Sequence, residues 1–190
     1  MVKTAVSSAI LSRLRLETRL EHTALEDVLD LMNTELSRQA YCYRLKVFYG
    51  FYAPFEAALK LRLENMRFPD ELADRLDKTA LLRSDLNYLG VNPEKIATCQ
   101  KLPGLEFATE ILGSIYVVEG ATLGGRIITK HVKDTLNILP TSGGSFFQGY
   151  GDATAMMWQG MRQLLVDGAI NASAEDAIVG SAIEIGRAHV

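Results

Sequence analysis

Glu110-Ile-Leu-Gly113-Ser-Ile-Tyr116-Val-Val-Glu119-Gly120-Ala-Thr-Leu-Gly124-Gly125-Arg126-Ile-Ile128 sets four glycines among residues that otherwise favour a helix. Each glycine in a helix interior costs about 1 kcal/mol against alanine, so the four together give up roughly 4 kcal/mol of propensity. At 100° per residue, Gly113, Gly120 and Gly124 fall within about 40° of one another, on a stripe that also takes in Tyr116 and Ile127. A stripe without side chains means that something lies against the backbone itself. A second helix crossing closely would need it, and so would a planar ligand, with the pair Gly124-Gly125 giving the helix a place to bend. The glycines alone leave both readings open.

Outward from this stretch, the pattern is helical almost everywhere. The helix that carries the glycines is expected from about Leu105 to Leu136, interrupted by its own glycines. Before it, Leu11, Leu14, Leu25, Val28, Leu29 and Met32 recur at helical spacing, predicting a first helix from Ser7 or Ser8 to about Met32, broken at Asn33-Thr34. Ser37 is placed to cap a long second helix, with Pro54 predicting a kink near Gly50–Pro54. Pro69 suits the first turn of a third helix through about Leu86. A loop with Gly90 and Pro93 follows, then a short helical piece to Lys101 and a turn at Pro103-Gly104. After the glycine helix, Pro140-Thr-Ser-Gly-Gly144 reads as a surface loop and Asp152 as the cap of a helix over Ala153–Asp167. Ser173-Ala-Glu-Asp176 resembles a capping box that opens the last helix. That helix stops at Val190, short for a packing element, so the native chain is expected to continue. Strand-like alternation, repeats and linkers are absent, and the expectation is one all-α domain over residues 1–190.

Composition narrows the function. A net charge of −3 over 190 residues lacks the basic excess of a nucleic-acid-binding surface. Cys42 and Cys99 stand far apart in apolar surroundings, where they read as small apolar residues in a reducing compartment. No basic segment and apolar core of signal-peptide form opens the chain, and no apolar run approaches the roughly 18 residues of a membrane helix. The expectation is a cytoplasmic protein without membrane contact.

Of the three histidines, His131 follows the glycines between lysines and reads as a solvent-side residue, and His189 is next to last. His22 has different company: Arg15, Thr18, His22, Glu26 and Leu29 follow at spacings of three or four and share a helix face. A glutamate one turn after a histidine accepts its ring N–H and leaves the other nitrogen free for a metal. Arg15 is placed to reach an anionic group at the edge of whatever the histidine binds. A surface histidine paired with Glu26 satisfies the same spacing.

Leu16-Glu-Thr18-Arg-Leu-Glu-His22-Thr-Ala-Leu25-Glu26 resembles the proximal-helix signature of haem oxygenases, and Tyr116 to Ile128 resembles their distal-helix signature, most closely that of the bacterial branch. Gly149-Tyr-Gly-Asp152, followed by Met157-Trp158, is similar to the bacterial members before their penultimate helix. The matches keep order and spacing along nearly the whole chain. The resemblance implies a helical bundle clamping haem between a proximal and a glycine-kinked distal helix. It implies oxidative ring opening to biliverdin, CO and ferrous iron, with haem as substrate and prosthetic group. O₂ and an external electron donor (ferredoxin, a reductase or ascorbate) are then partners, in the service of iron acquisition or of a bilin-binding photoreceptor. By the same resemblance His22 is the axial iron ligand, and Gly120 and Gly124 are the catalytic backbone positions. Arg15, Thr18, Glu26, Tyr116, Gly125 and Arg162 then surround the haem, with Arg15 toward one propionate and Tyr116 and Arg162 toward the other or a polar network. Mammalian members carry an aspartate where this chain has Ala121. A haem carrier of the same fold is the alternative reading. A di-metal relative would need Glu-x-x-His pairs, and none of the three histidines has that spacing.

Overall fold

The computed structural model describes residues 2–66, 68 and 70–188, without the side chains of 2–8, 70, 71, 73 and 188. Pro69 and His189 lie outside the described residues. The elements run α1 (Val2–Glu17), α2 (Arg19–Leu29), α3 (Arg38–Asn65), α4 (Lys78–Tyr88), α5 (Ala108–Leu136), α6 (Ser145–Gln148), α7 (Thr154–Gly168) and α8 (Ala172–Ala188), with 3₁₀ turns at Asp70–Arg75, Pro93–Lys95 and Gly151–Ala153. No strand occurs among the described residues, and the class is all-α as the sequence predicts. Two compact units interleave along the chain. One holds Met1–Val28, Lys101–Leu123 and Asp152–Val190, and the other Leu29–Gln100 and Gly124–Gly151.

In the first unit, the single helix expected to Met32 is two helices that meet at Thr18 and end at Leu29. Thr18 explains the break: its hydroxyl donates to the Leu14 carbonyl at 2.7 Å, the same carbonyl that accepts the Thr18 N–H at 3.1 Å. Such back-bonding competes with the helical ladder and bends it. The stop comes from Asp30, which adopts a left-handed φ of 42° and accepts from Asn33 Nδ2 at 2.7 Å. α1 buries Ile10 and Leu14 completely, and Arg13 ties it to the first turn of α8 through Asp176 at 2.9 Å. Two expected caps move. Asn171, not Ser173, caps α8 by accepting from Ala174 N at 2.9 Å. Asp152 sits in a 3₁₀ turn, and Ala153 precedes α7 without a side-chain cap. α8 crosses α5 closely, with Ser181 Oγ donating to the Glu110 carbonyl at 2.7 Å and lying 3.1 Å from Ser114 Oγ.

In the second unit, Ser37 caps α3 as predicted, accepting from Ala40 N at 3.1 Å. Pro54 lies inside α3 and lacks the N–H that would reach the Gly50 carbonyl. Cys99 supplies the missing donor, its N–H reaching that carbonyl at 2.9 Å, so the helix runs on with its acceptor satisfied. Tyr41, Phe48, Tyr52, Phe146 and Phe147 form a ring cluster with centroids 5.0–6.3 Å apart. The next α-helix starts at Lys78, because the buried Glu56 carboxylate accepts the N–H groups of Lys78 and Thr79 at 2.9 and 3.0 Å. The expected helical piece to Lys101 is only the 3₁₀ turn Pro93–Lys95, and residues 101–105, with Pro103-Gly104, are irregular. The loop at 140–144 is not wholly a surface loop: Gly143 and Gly144 are buried, and Tyr41 donates to the Gly143 carbonyl at 2.9 Å. Asp85 holds the start of α6, accepting from Ser145 N at 2.9 Å, Phe146 N at 2.8 Å and Ser145 Oγ at 2.8 Å. His131 is half-buried rather than simply solvent-side, its Nε2 lying 2.9 Å from the Asn33 carbonyl.

α5 runs through all four glycines without a break in its helical assignment. It begins at Ala108, three residues later than predicted, because the Glu110 carboxylate reaches back to the N–H groups of Glu106 and Phe107 at 2.8 and 3.0 Å. By length and composition it is apolar enough to cross a bilayer. Here its first half is core instead, with Ile111, Leu112, Ile115 and Val118 buried.

Candidate functional site

The four glycines of α5 divide once the packing is in view. A Cβ on Gly113 would run into the Ile178 carbonyl of α8, so the second-helix reading accounts for that position. A Cβ on Gly125 would meet the Phe147 carbonyl, and Gly125 is buried there. Gly120 and Gly124 have no such neighbour. A Cβ on Gly120 would come no closer than 3.8 Å to anything, the rim of Trp158, and one on Gly124 would meet nothing within 4 Å. Leu123 and Ile127, beside them on the same helix, are 45% and 63% exposed. Two glycines and two large apolar side chains thus lie uncovered on a helix whose other glycines are consumed by packing.

On α2, His22 points outward with 65% of its side chain exposed, and its Nδ1 lies 3.3 Å from Glu26 Oε2. That carboxylate can hold one ring nitrogen as N–H and leave Nε2 as an outward-facing lone pair. Toward the start of the same segment Arg15 is exposed and Thr18 half-buried. Tyr116 of α5 comes to them: burial pushes its hydroxyl pKa up, while a hydrogen bond with Thr18 and the charge of Arg15 work the other way. Burial prevails, and Tyr116 stays a neutral donor.

Trp158 is the addition the structure makes. Its ring centroid lies 5.7 Å from that of Tyr116 at an interplanar angle of 42°, and its rim borders Gly120. Arg162 is exposed one turn further along α7, on the same face as Trp158. The sequence signal for Trp158 was available, since it is the only tryptophan and stands four residues before Arg162. Of the residues named from the sequence, Arg15, Thr18 and Tyr116 come together, and Trp158 links Tyr116 to Gly120. His22 and Glu26 continue the α2 face. Gly125 packs inward and adds no open surface.

The donor set suits a flat, largely apolar ligand with an anionic edge and a metal that takes an imidazole. The uncovered backbone of Gly120 and Gly124 admits a plane, Leu123 and Trp158 offer apolar contact, and Arg15 and Arg162 offer cations. No group of three or more His, Cys, Asp or Glu among the described residues is arranged to hold a bare metal ion. One imidazole suits a metal that arrives already coordinated by its own macrocycle.

Comparison with known proteins agrees. The heme oxygenase family model matches residues 8–185. Among solved structures, the NO- and CO-bound heme oxygenase from Neisseria meningitidis superposes with a TM-score of 0.78 at 20% identity, over 95% of this chain and 87% of that one. The heme oxygenase from Leptospira interrogans gives 0.69 at 19% identity, over 95% and 96%. At these identities the superpositions speak for the fold. No curated protein sequence matches.

Proposed function

Given that this chain belongs to the haem oxygenase family, we propose that it opens the haem ring oxidatively to biliverdin, CO and ferrous iron. O₂ and electrons from an external donor (ferredoxin, a reductase or ascorbate) are the co-reactants. Haem degradation is the family's general activity, and the helical fold is that of bacterial haem oxygenases. The observation that carries the reading is the uncovered pair Gly120 and Gly124, whose missing side chains no packing contact explains.

Bound haem supplies the iron redox chemistry that activates O₂. The chain's residues bind and orient it. His22 would hold the iron through an imidazole nitrogen, where a thiolate ligand would instead favour O–O cleavage. Glu26 fixes the ring's tautomer and direction. Gly120 and Gly124 would let the α5 backbone approach a bound haem closely and would restrict by steric contact the space over it. Arg15 pairs with a propionate, Tyr116 donates to Thr18 and lines the same edge, and Arg162 serves the other propionate. Gly125 supports the site indirectly by admitting the Phe147 backbone. Neither unit is continuous in sequence, which supports treating residues 1–190 as one functional domain. The free thiols of Cys42 and Cys99 fit a reducing cytoplasm, and iron release or bilin supply is the purpose such a reaction would serve.

A haem carrier without ring opening is favoured by one feature: Ala121, exposed beside Gly120, brings no proton-handling side chain. Adding hemin and then ascorbate under air separates the two. The enzyme is expected to develop a Soret band that decays into biliverdin absorbance, while a Soret band stable to ascorbate leaves only the carrier. A His22→Ala variant with an unchanged ferric spectrum would remove the axial-ligand assignment altogether.

A further inference from the structure

We infer that α8 acts as a gauge between the two haem-facing helices, and that Gly186 is the positioning residue through which it places His22. The inference rests on the reading of His22 as axial ligand. α8 touches α5 and α2 at separate points. Around Ile178–Ala182 it lies against Gly113, which is tight enough that a Cβ there would strike the Ile178 carbonyl and stand 3.0 Å from Ala182 N. Further along, about 6–12 Å at 1.5 Å per residue, Gly186 is buried against α2. A Cβ on Gly186 would stand 2.8 Å from Glu21 Cβ and 3.3 Å from Glu21 Cγ. Arg187 adds its Nε, 3.3 Å from Glu21 Oε1.

Glu21 and His22 are neighbours, one packed inward and the other exposed. The Glu21 side chain is 14% exposed and that of His22 65%. Successive helical residues point about 100° apart, so anchoring Glu21 inward sets the direction in which His22 leaves the helix. α2 carries His22, and the contact at Glu21 is where α8 grips its inner face. Glu21 Cβ is fixed to the backbone and cannot swing aside, unlike the end of a long side chain. A methyl group on Gly186 must therefore change the spacing of α8 and α2 at the residue next to His22.

Gly180 provides the control, because it lies in the same helix and a Cβ there would meet nothing within 4 Å. Gly180→Ala introduces the better helix former without a clash, so its apoprotein is expected to melt no lower than wild type, whereas Gly186→Ala adds overpacking against Glu21 and is expected to melt lower. On hemin titration, Gly180→Ala should match wild type. Gly186→Ala should bind about tenfold more weakly, the scale of lost support behind a metal ligand, and shift the ferrous iron–histidine stretch in resonance Raman. Wild-type affinity and stretch in Gly186→Ala would overturn the inference, as would an affinity loss with the stretch unshifted. If Gly186→Ala does not fold, the double variant Gly186→Ala/Glu21→Gly, which removes the opposing Cβ, should recover the fold and the wild-type stretch; its failure to do so counts equally against the gauge. Loss of the stretch in His22→Ala with a silent Gly186→Ala sinks the gauge alone, whereas a silent His22→Ala sinks the axial-ligand reading first.

Discussion

The glycine stripe on α5 is closed at one end and open at the other. At Gly113 the α8 backbone lies where a side chain would be, and at Gly120 and Gly124, on the same face, nothing does. The two ends cost the helix the same propensity, so propensity cannot say why either glycine is there. Packing can. A missing side chain filled by a neighbouring helix serves the fold, and one left facing open space serves a ligand.

The widest separation between the ends should appear in stability. Gly113→Ala and Gly125→Ala each drive a methyl group into a backbone carbonyl that has no rotamer to yield. Overpacking of this kind costs about 1–3 kcal/mol, or roughly 2–12 °C in melting temperature for a chain of this size. Thermal denaturation of the apoproteins reads it directly. Gly120→Ala and Gly124→Ala should behave in the opposite sense, gaining up to about 1 kcal/mol of helix stability. Their hemin turnover should nevertheless fall about tenfold to hundredfold as the distal surface is pushed off its contact distance. A stabilised Gly124→Ala with wild-type turnover would break the comparison.

A smaller effect is expected at Glu26→Ala. Both members of the His22–Glu26 pair are about two-thirds exposed, so hemin affinity should drop by no more than about tenfold, with the melt unchanged. Smallest is Asp85→Asn, a purely structural counterpart in the second unit. Burial raises the Asp85 pKa, although hydrogen bonds from Phe146 N, Ser145 N and Ser145 Oγ pull it down. The folded protein therefore holds this proton more tightly than the unfolded chain. The stability that the proton contributes is full below the ordinary carboxylate value and is lost as pH rises through the raised one. Wild type minus Asp85→Asn should accordingly lose stability with rising pH across that acid range, and a slope of the opposite sign in denaturant titrations would contradict the assignment.

Local signals carried well from sequence to structure. Ser37 caps α3, the helical periodicity holds for the long elements, and the His22–Glu26 spacing brings ring and carboxylate within 3.3 Å. What sequence could not show is whatever a distant partner decides. Gly113 and Gly120 look alike until α8 is laid across one of them. The start of α4 is set by Glu56 from a different helix, and Ser173 loses the cap to Asn171 because the chain turns two residues earlier. Thr18 is the near miss. It stands in a helical pattern and belongs to the proposed haem site, but its hydroxyl also bonds back to Leu14 and marks the junction of α1 and α2.

The repaired carbonyl of Gly50 bears on the order in which this chain folds. Pro54 leaves α3 with one hydrogen bond it cannot make from its own residues, and Cys99 completes it from well outside the helix. The two halves of α3 can each nucleate early, but the join between them stays unsealed until the segment after Pro93 arrives. Secondary structure here waits for a long-range encounter. Substitutions at the join should accordingly leave the folding rate nearly untouched and show themselves in faster unfolding.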